Sequence, residues 1–143
     1  MPMHNSLADS TLIGIDIASQ IASANVNGTV IDMQGWDGCC YTFNLGAMTA
    51  SATFDARVVS SANANMSGAT NITNAALTQV LAATGNTNAY IIDVYRPSAR
   101  YLRTATQPAT ANVQFASMAI RYRRSGILPP TALALQTVKV ASN

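Results

Sequence analysis

Hydrophobic and polar positions alternate with a period of two along the middle of the chain, the pattern of strands with one buried and one polar face. Over residues 39–46, Cys39, Tyr41, Phe43 and Leu45 alternate with Cys40, Thr42 and Asn44. Ala52, Phe54, Ala56 and Val58 do the same against Thr53, Asp55, Arg57 and Val59. The alternation predicts that Tyr41, Phe43, Leu45, Phe54 and Val58 are buried, whereas Thr42, Asn44, Asp55 and Arg57 face solvent or a partner. Residues 46–51 then read as the hairpin connection between these two strands.

Four more runs extend the pattern. Residues 29–33 are β-branched and end at Gln34-Gly35-Trp36-Asp37-Gly38, a turn flanked by glycines. Residues 90–95 close at Arg96-Pro97-Ser98, residues 100–106 stop before Pro108, and residues 113–124 form the longest run. In that run Val113 and Phe115 lie on one parity and Met118, Ile120 and Tyr122 on the other; a β-bulge near Ser117 would bring both sets to one core. Residues 60–71 read as a surface loop. Asn74 can cap a short helix whose Leu77, Val80 and Leu81 stand at helical spacing before Gly85.

Six short strands predict an all-β fold, an antiparallel β-sandwich of jelly-roll or immunoglobulin-like type, with the one short helix and extended N- and C-terminal arms. The expected organisation is an N-terminal arm and first strand over 1–28, the sandwich core over 29–124 and a C-terminal arm over 125–143. A chain of 143 residues fits one such domain. Both ends carry apolar side chains: Leu12, Ile13, Ile15 and Ile17 in one, Leu133, Leu135, Val138 and Val140 in the other. Two readings stand for them, outer strands of the same sandwich or strands added to a neighbouring subunit. Pro129-Pro130 removes two backbone donors and forces an extended exit, which favours the neighbour for the C-terminal arm.

Composition shifts attention from chemistry to surfaces. Charged residues make up 10% of the chain, against roughly 25% in an ordinary soluble domain. Ser, Thr, Asn and Gln must therefore cover the exterior, and a weakly charged exterior resists association poorly. The net charge of +2 comes from seven arginines and one lysine against six aspartates, without glutamate. The densest basic group, Arg121, Arg123 and Arg124, falls short of a phosphate-binding footprint and reads as an interface; no nucleic acid is expected. No apolar stretch reaches the ~18 residues of a membrane-spanning helix, and the first residues lack a secretory pattern, so no membrane is expected and synthesis is expected in the cytoplasm.

Residues able to do acid–base or metal chemistry are scarce. His4 is the single histidine. Asp16, Asp32, Asp37, Asp55 and Asp93 match no calcium-loop spacing and read as capping, turn and salt-bridge residues. Cys39 and Cys40 are adjacent, so in a strand their thiols point to opposite faces and do not pair. No catalytic, cofactor-binding or metal-binding residue is expected. Trp36 reads either as corner packing or as an exposed contact, and with Tyr41, Tyr95 or Tyr101 it would form a carbohydrate-stacking platform.

The segment Val30-Ile31-Asp32-Met33-Gln34-Gly35-Trp36-Asp37-Gly38 with the strand behind it resembles the opening of a family of small virion proteins from tailed phages and prophages. Arg100-Tyr101-Leu102-Arg103 and the alanine-rich run over 116–124, ending in Tyr and Arg, add to the likeness. It spans about residues 30–124 and departs at 60–71, where the family has an Asp/Gly/Ser-rich hairpin, and beyond Gly126, where the tail is longer. The resemblance implies a β-sandwich virion component on the phage head: a capsid cement or decoration protein, or a head-spike base. It also implies a closed homo-oligomer, a trimer on a local threefold axis, bound to the major capsid protein or another virion protein. A head-to-tail connector or tail structural protein, and a carbohydrate-binding module, are the alternatives. The expected interface comprises Leu12, Ile13, Ile15, Arg121, Arg123, Arg124, Leu133, Leu135, Val138 and Val140.

Overall fold

A computed structural model describes residues 10–123 and the strand backbone of 136–141. The strands are β1 (Thr11–Ala22), β2 (Val26–Asn27), β3 (Ile31–Asp32), β4 (Gly38–Met48), β5 (Thr53–Ser61), β6 (Thr70–Ala76), β7 (Val80–Leu81), β8 (Ala89–Tyr95), β9 (Tyr101–Ala109), β10 (Val113–Tyr122) and β11 (Gln136–Ala141). One sheet runs β1-β10-β4-β8-β11; the other runs β2-β9-β5-β6, with β3 also on β9 and β7 also on β5. Among these strands β8 and β11 pair in parallel and the other pairs are antiparallel.

The alternation in β4 and β5 is borne out, with Tyr41, Phe43, Leu45, Phe54 and Val58 buried and Thr42, Asn44, Asp55 and Arg57 at least partly exposed. These strands lie in different sheets, however: β4 runs on to Met48, and the connection over 49–52 crosses the sandwich and is not a hairpin. The crossing sets Phe54 of one sheet between Phe43 and Phe115 of the other, with ring centroids 6.2 and 5.1 Å away and the planes inclined by 62° and 57°. Inclined rings at this spacing are the favoured aromatic geometry and join the two layers. Successive strands repeatedly change sheet, the connectivity of a jelly roll, with β11 added outside β8.

Several expectations need correction. The helix after Asn74 is replaced by β6 and β7, which follow one another along β5, and the short helix Ala82–Gly85, named α1, comes after them. Asn74 itself has φ +63° inside β6, a conformation Asn tolerates, and Leu77 and Val80 reach the core from extended backbone. Of the run 29–33, Ile31–Asp32 forms a strand. The run over 100–106 continues through Pro108, which is buried opposite Phe54. Pairing of β2 to β9 ends at Thr106, so the missing proline N–H removes no bond to β2. Lastly, β10 has no bulge near Ser117: its register with β4 is continuous from Phe115 to Tyr122, and Met118 and Ile120 point away from the core. The irregularities sit opposite, in β1, between Ile15 and Ile17 and again between Ile17 and Gln20.

Both ends join the sandwich. β1 is an integral edge strand whose Ile17 belongs to the core, and β11 is the other edge of the same sheet. Val138 and Val140 stand in register with Ile92 and Val94. Arg124, Leu133, Leu135 and His4 lie outside the described residues.

Candidate assembly surface

The bulge in β1 is held by one buried carboxylate. Asp16 Oδ2 accepts hydrogen bonds from Thr104 Oγ1 of β9 at 2.5 Å and from Ser117 Oγ of β10 at 2.7 Å, while Oδ1 accepts from the Thr29 N–H at 3.0 Å. Three segments from both sheets therefore meet at one side chain. Burial pushes its pKa above the ordinary carboxylate value, and the three hydrogen bonds only partly offset this. Gly28 closes over the group: a Cβ there would stand 2.1 Å from Asp16 Oδ1 and 2.2 Å from Thr104 Oγ1. Reading Asp16 as a capping, turn or salt-bridge residue missed this role, because the hydroxyls of Thr104 and Ser117 lie far away in sequence.

Outside this anchor the sheet carries an apolar stripe. Ile13 pairs with Ile120 and Ile15 with Met118 across β1 and β10, and Ile21 follows further along β1 opposite Gln114. Ile15 is 68% exposed, Ile13 45% and Met118 42%. Side chains that large, adjacent and uncharged on one outer face are the usual mark of a contact surface. Met118 and Ile120 were assigned by sequence to the core; their position on the same face as Ile13 and Ile15 enlarges the expected interface.

Trp36 lies at one end of the sandwich, half-buried against the core. The Arg121 and Arg123 guanidinium carbons stand 5.5 and 4.9 Å from its ring centroid, within cation–π range. Arg121 Nη1 also donates to the Asp32 carbonyl at 2.9 Å. Arg100 grips the Asp32 carboxylate bidentately at 2.9 and 2.8 Å and holds its pKa down at about 2. An open groove of about 430 Å³ runs beside Trp36, between Met33, Asp37, Arg96, Pro97 and Arg100. The stacking platform of Trp36 with Tyr41 does not form, since Tyr41 is fully buried. Tyr95 and Tyr101 lie against Arg96 and Arg100.

Reactive groups are sequestered. Cys39 and Cys40 are free and buried, and desolvation pushes the Cys39 thiol far above its ordinary pKa, which makes it a poor nucleophile. Tyr122 lies over Gly38 and donates to Asp93 Oδ1 at 2.7 Å; burial and this hydrogen bond raise its pKa. Among the described residues no group of three or more His, Cys, Asp or Glu could hold a metal ion. No helix among them is long and apolar enough to cross a membrane. No family model matches the chain, and no curated protein matches it.

Proposed function

We propose that the chain is a structural virion protein that decorates and cements a phage head by bridging capsid subunits, and that it catalyses no reaction. The observation that carries this reading is the uncharged outer stripe of Ile13, Ile15, Met118 and Ile120 on a jelly-roll sheet. Covering apolar surface contributes roughly 25 cal/mol per Å², so such a face gains by lying against another protein. The low charge of the chain and the resemblance around Trp36 support the same reading. Jelly rolls also build viral shells.

On this reading the protein sits on the head surface as a homo-oligomer in contact with the major capsid protein. A connector or tail position uses the same chemistry, and copy number separates the two. A mass-spectrometric inventory of purified particles should find the chain at the abundance of the capsid lattice. Abundance equal to a single ring would move it to the connector, and absence from particles would end the virion reading.

A further inference from the structure

We infer that the groove beside Trp36 is a docking site for an acidic, partly apolar peptide segment of a partner protein. Two loops form its walls, the turn over 33–37 and the connection over 96–100. They are pinned to each other at both ends, since the Met33 N–H donates to the Arg100 carbonyl at 2.8 Å and the Arg96 N–H to the Asp37 carbonyl at 2.7 Å. Arg96 is thereby held in a left-handed conformation, φ +51°, which residues other than glycine adopt at a cost and which recurs at ligand clamps. A third bond, from the Asp37 N–H to the Tyr122 carbonyl at 3.0 Å, ties the turn to the end of β10 and so brings Arg121 and Arg123 over the Trp36 ring. The groove therefore exists before anything binds, and an incoming chain has no loop to order.

Charge and shape select the occupant. Arg96, Arg100, Arg121 and Arg123 gather at this end against Asp32 and Asp37, four positive charges against two negative. Arg100 gives two N–H groups to the Asp32 carboxylate and Arg121 one to the Asp32 carbonyl, which fixes both guanidiniums. A guanidinium carries five N–H donors, so each has others to offer an incoming carboxylate. Between the charges, Met33, Trp36, Pro97 and Ala99 line the groove with apolar surface. A phosphate chain would leave that surface uncovered, and a neutral sugar would have to stack where guanidiniums already lie over the indole. Carboxylates alternating with apolar side chains match both features. The chain itself has no such segment: its acids are six aspartates, and no two stand closer in sequence than Asp32 and Asp37, which belong to this end. The occupant is therefore a different protein, and the site stands whether or not that protein is a capsid subunit.

Trp36 is the single tryptophan, so its emission reports on this groove. Titrating the full chain at low salt with a terminally blocked peptide of alternating glutamate and leucine should give a saturable change in that emission. Replacing the glutamates by glutamine should weaken binding about tenfold or more, and so should Arg96→Gln or Arg123→Gln, at about a factor of ten for each charge-assisted bond lost. Both side chains are exposed, so these variants should melt with the wild type. Raising the salt to about 0.5 M should weaken wild-type binding by a similar factor, because the charges are then screened within a few ångströms. Arg57→Gln, on β5 and outside the groove, should bind as the wild type does. No saturable change, equal binding of the glutamine peptide, or equal weakening by Arg57→Gln would overturn the inference. Tighter binding of polyphosphate or of a neutral oligosaccharide than of the acidic peptide would give the groove to another class of ligand and overturn it as well.

Discussion

Asp16→Ala removes the acceptor of Thr104, Ser117 and the Thr29 N–H at once. Each buried donor left unpaired costs about 1–3 kcal/mol, and hydroxyls recover part of this by rotating to other acceptors. A loss of about 3–5 kcal/mol follows, the range for breaking a buried polar network. Asp16→Asn keeps the volume and an oxygen for Thr29, and it removes the burial penalty on the charge; about 1 kcal/mol is expected. At this chain length 1 kcal/mol corresponds to roughly 4 °C in Tm, so the alanine variant should melt some 10–20 °C low and the asparagine variant within about 4 °C of wild type. Thermal and urea melts near neutral pH read both.

The pH dependence has a defined sign. Because the folded pKa of Asp16 lies above 3.8, its contribution is most favourable below about pH 4 and is lost as pH rises through the folded pKa. The wild type should therefore lose ground to Asp16→Asn between about pH 4 and neutrality. Equal melting of the alanine and asparagine variants, or a stability difference flat in pH, would refute the carboxylate as the anchor of β1.

Phe54→Ala should cost about 3–5 kcal/mol in a urea melt, because the ring is fully buried between Phe43 and Phe115; unchanged stability would defeat the packing between the layers. Gly28→Ala should destabilise although the position is not in a left-handed conformation, since its Cβ has no space beside Asp16 and Thr104; a neutral melt would contradict the closure. NMR titration of Asp32 should give a midpoint near 2 that returns towards 3.8 in Arg100→Ala, and an unmoved midpoint would remove the bidentate pair.

How legible each element was depended on what its inward face carries. β4 and β5 show in sequence because their inward positions hold Tyr41, Phe43, Leu45, Phe54 and Val58. β9 shows poorly, since its inward Thr104 and Thr106 are polar and are buried through hydrogen bonds to Asp16 and to the Val26 carbonyl. In β10 the two apolar parities are both genuine: one faces the core and the other the outside. Periodicity alone cannot separate a core face from an exposed apolar one, and the supposed bulge came from assuming a single core. The apolar character of β1 was visible, but its attachment was not, because the network at Asp16 spans residues 16–117. Leu77 and Val80 stand at a spacing that suits a helix, yet an extended chain running along β5 buries them equally well.

On the proposed reading, the outer face of β1 and β10 is the surface that meets the capsid. Met118→Asp places a charge in the middle of that face without touching the core. The direct measurement is co-sedimentation of wild type and Met118→Asp with phage heads assembled without the protein. Wild type should saturate the heads, while the variant, with its melting temperature within a few degrees of wild type, should stay in solution. Equal binding of the two folded proteins would contradict the account.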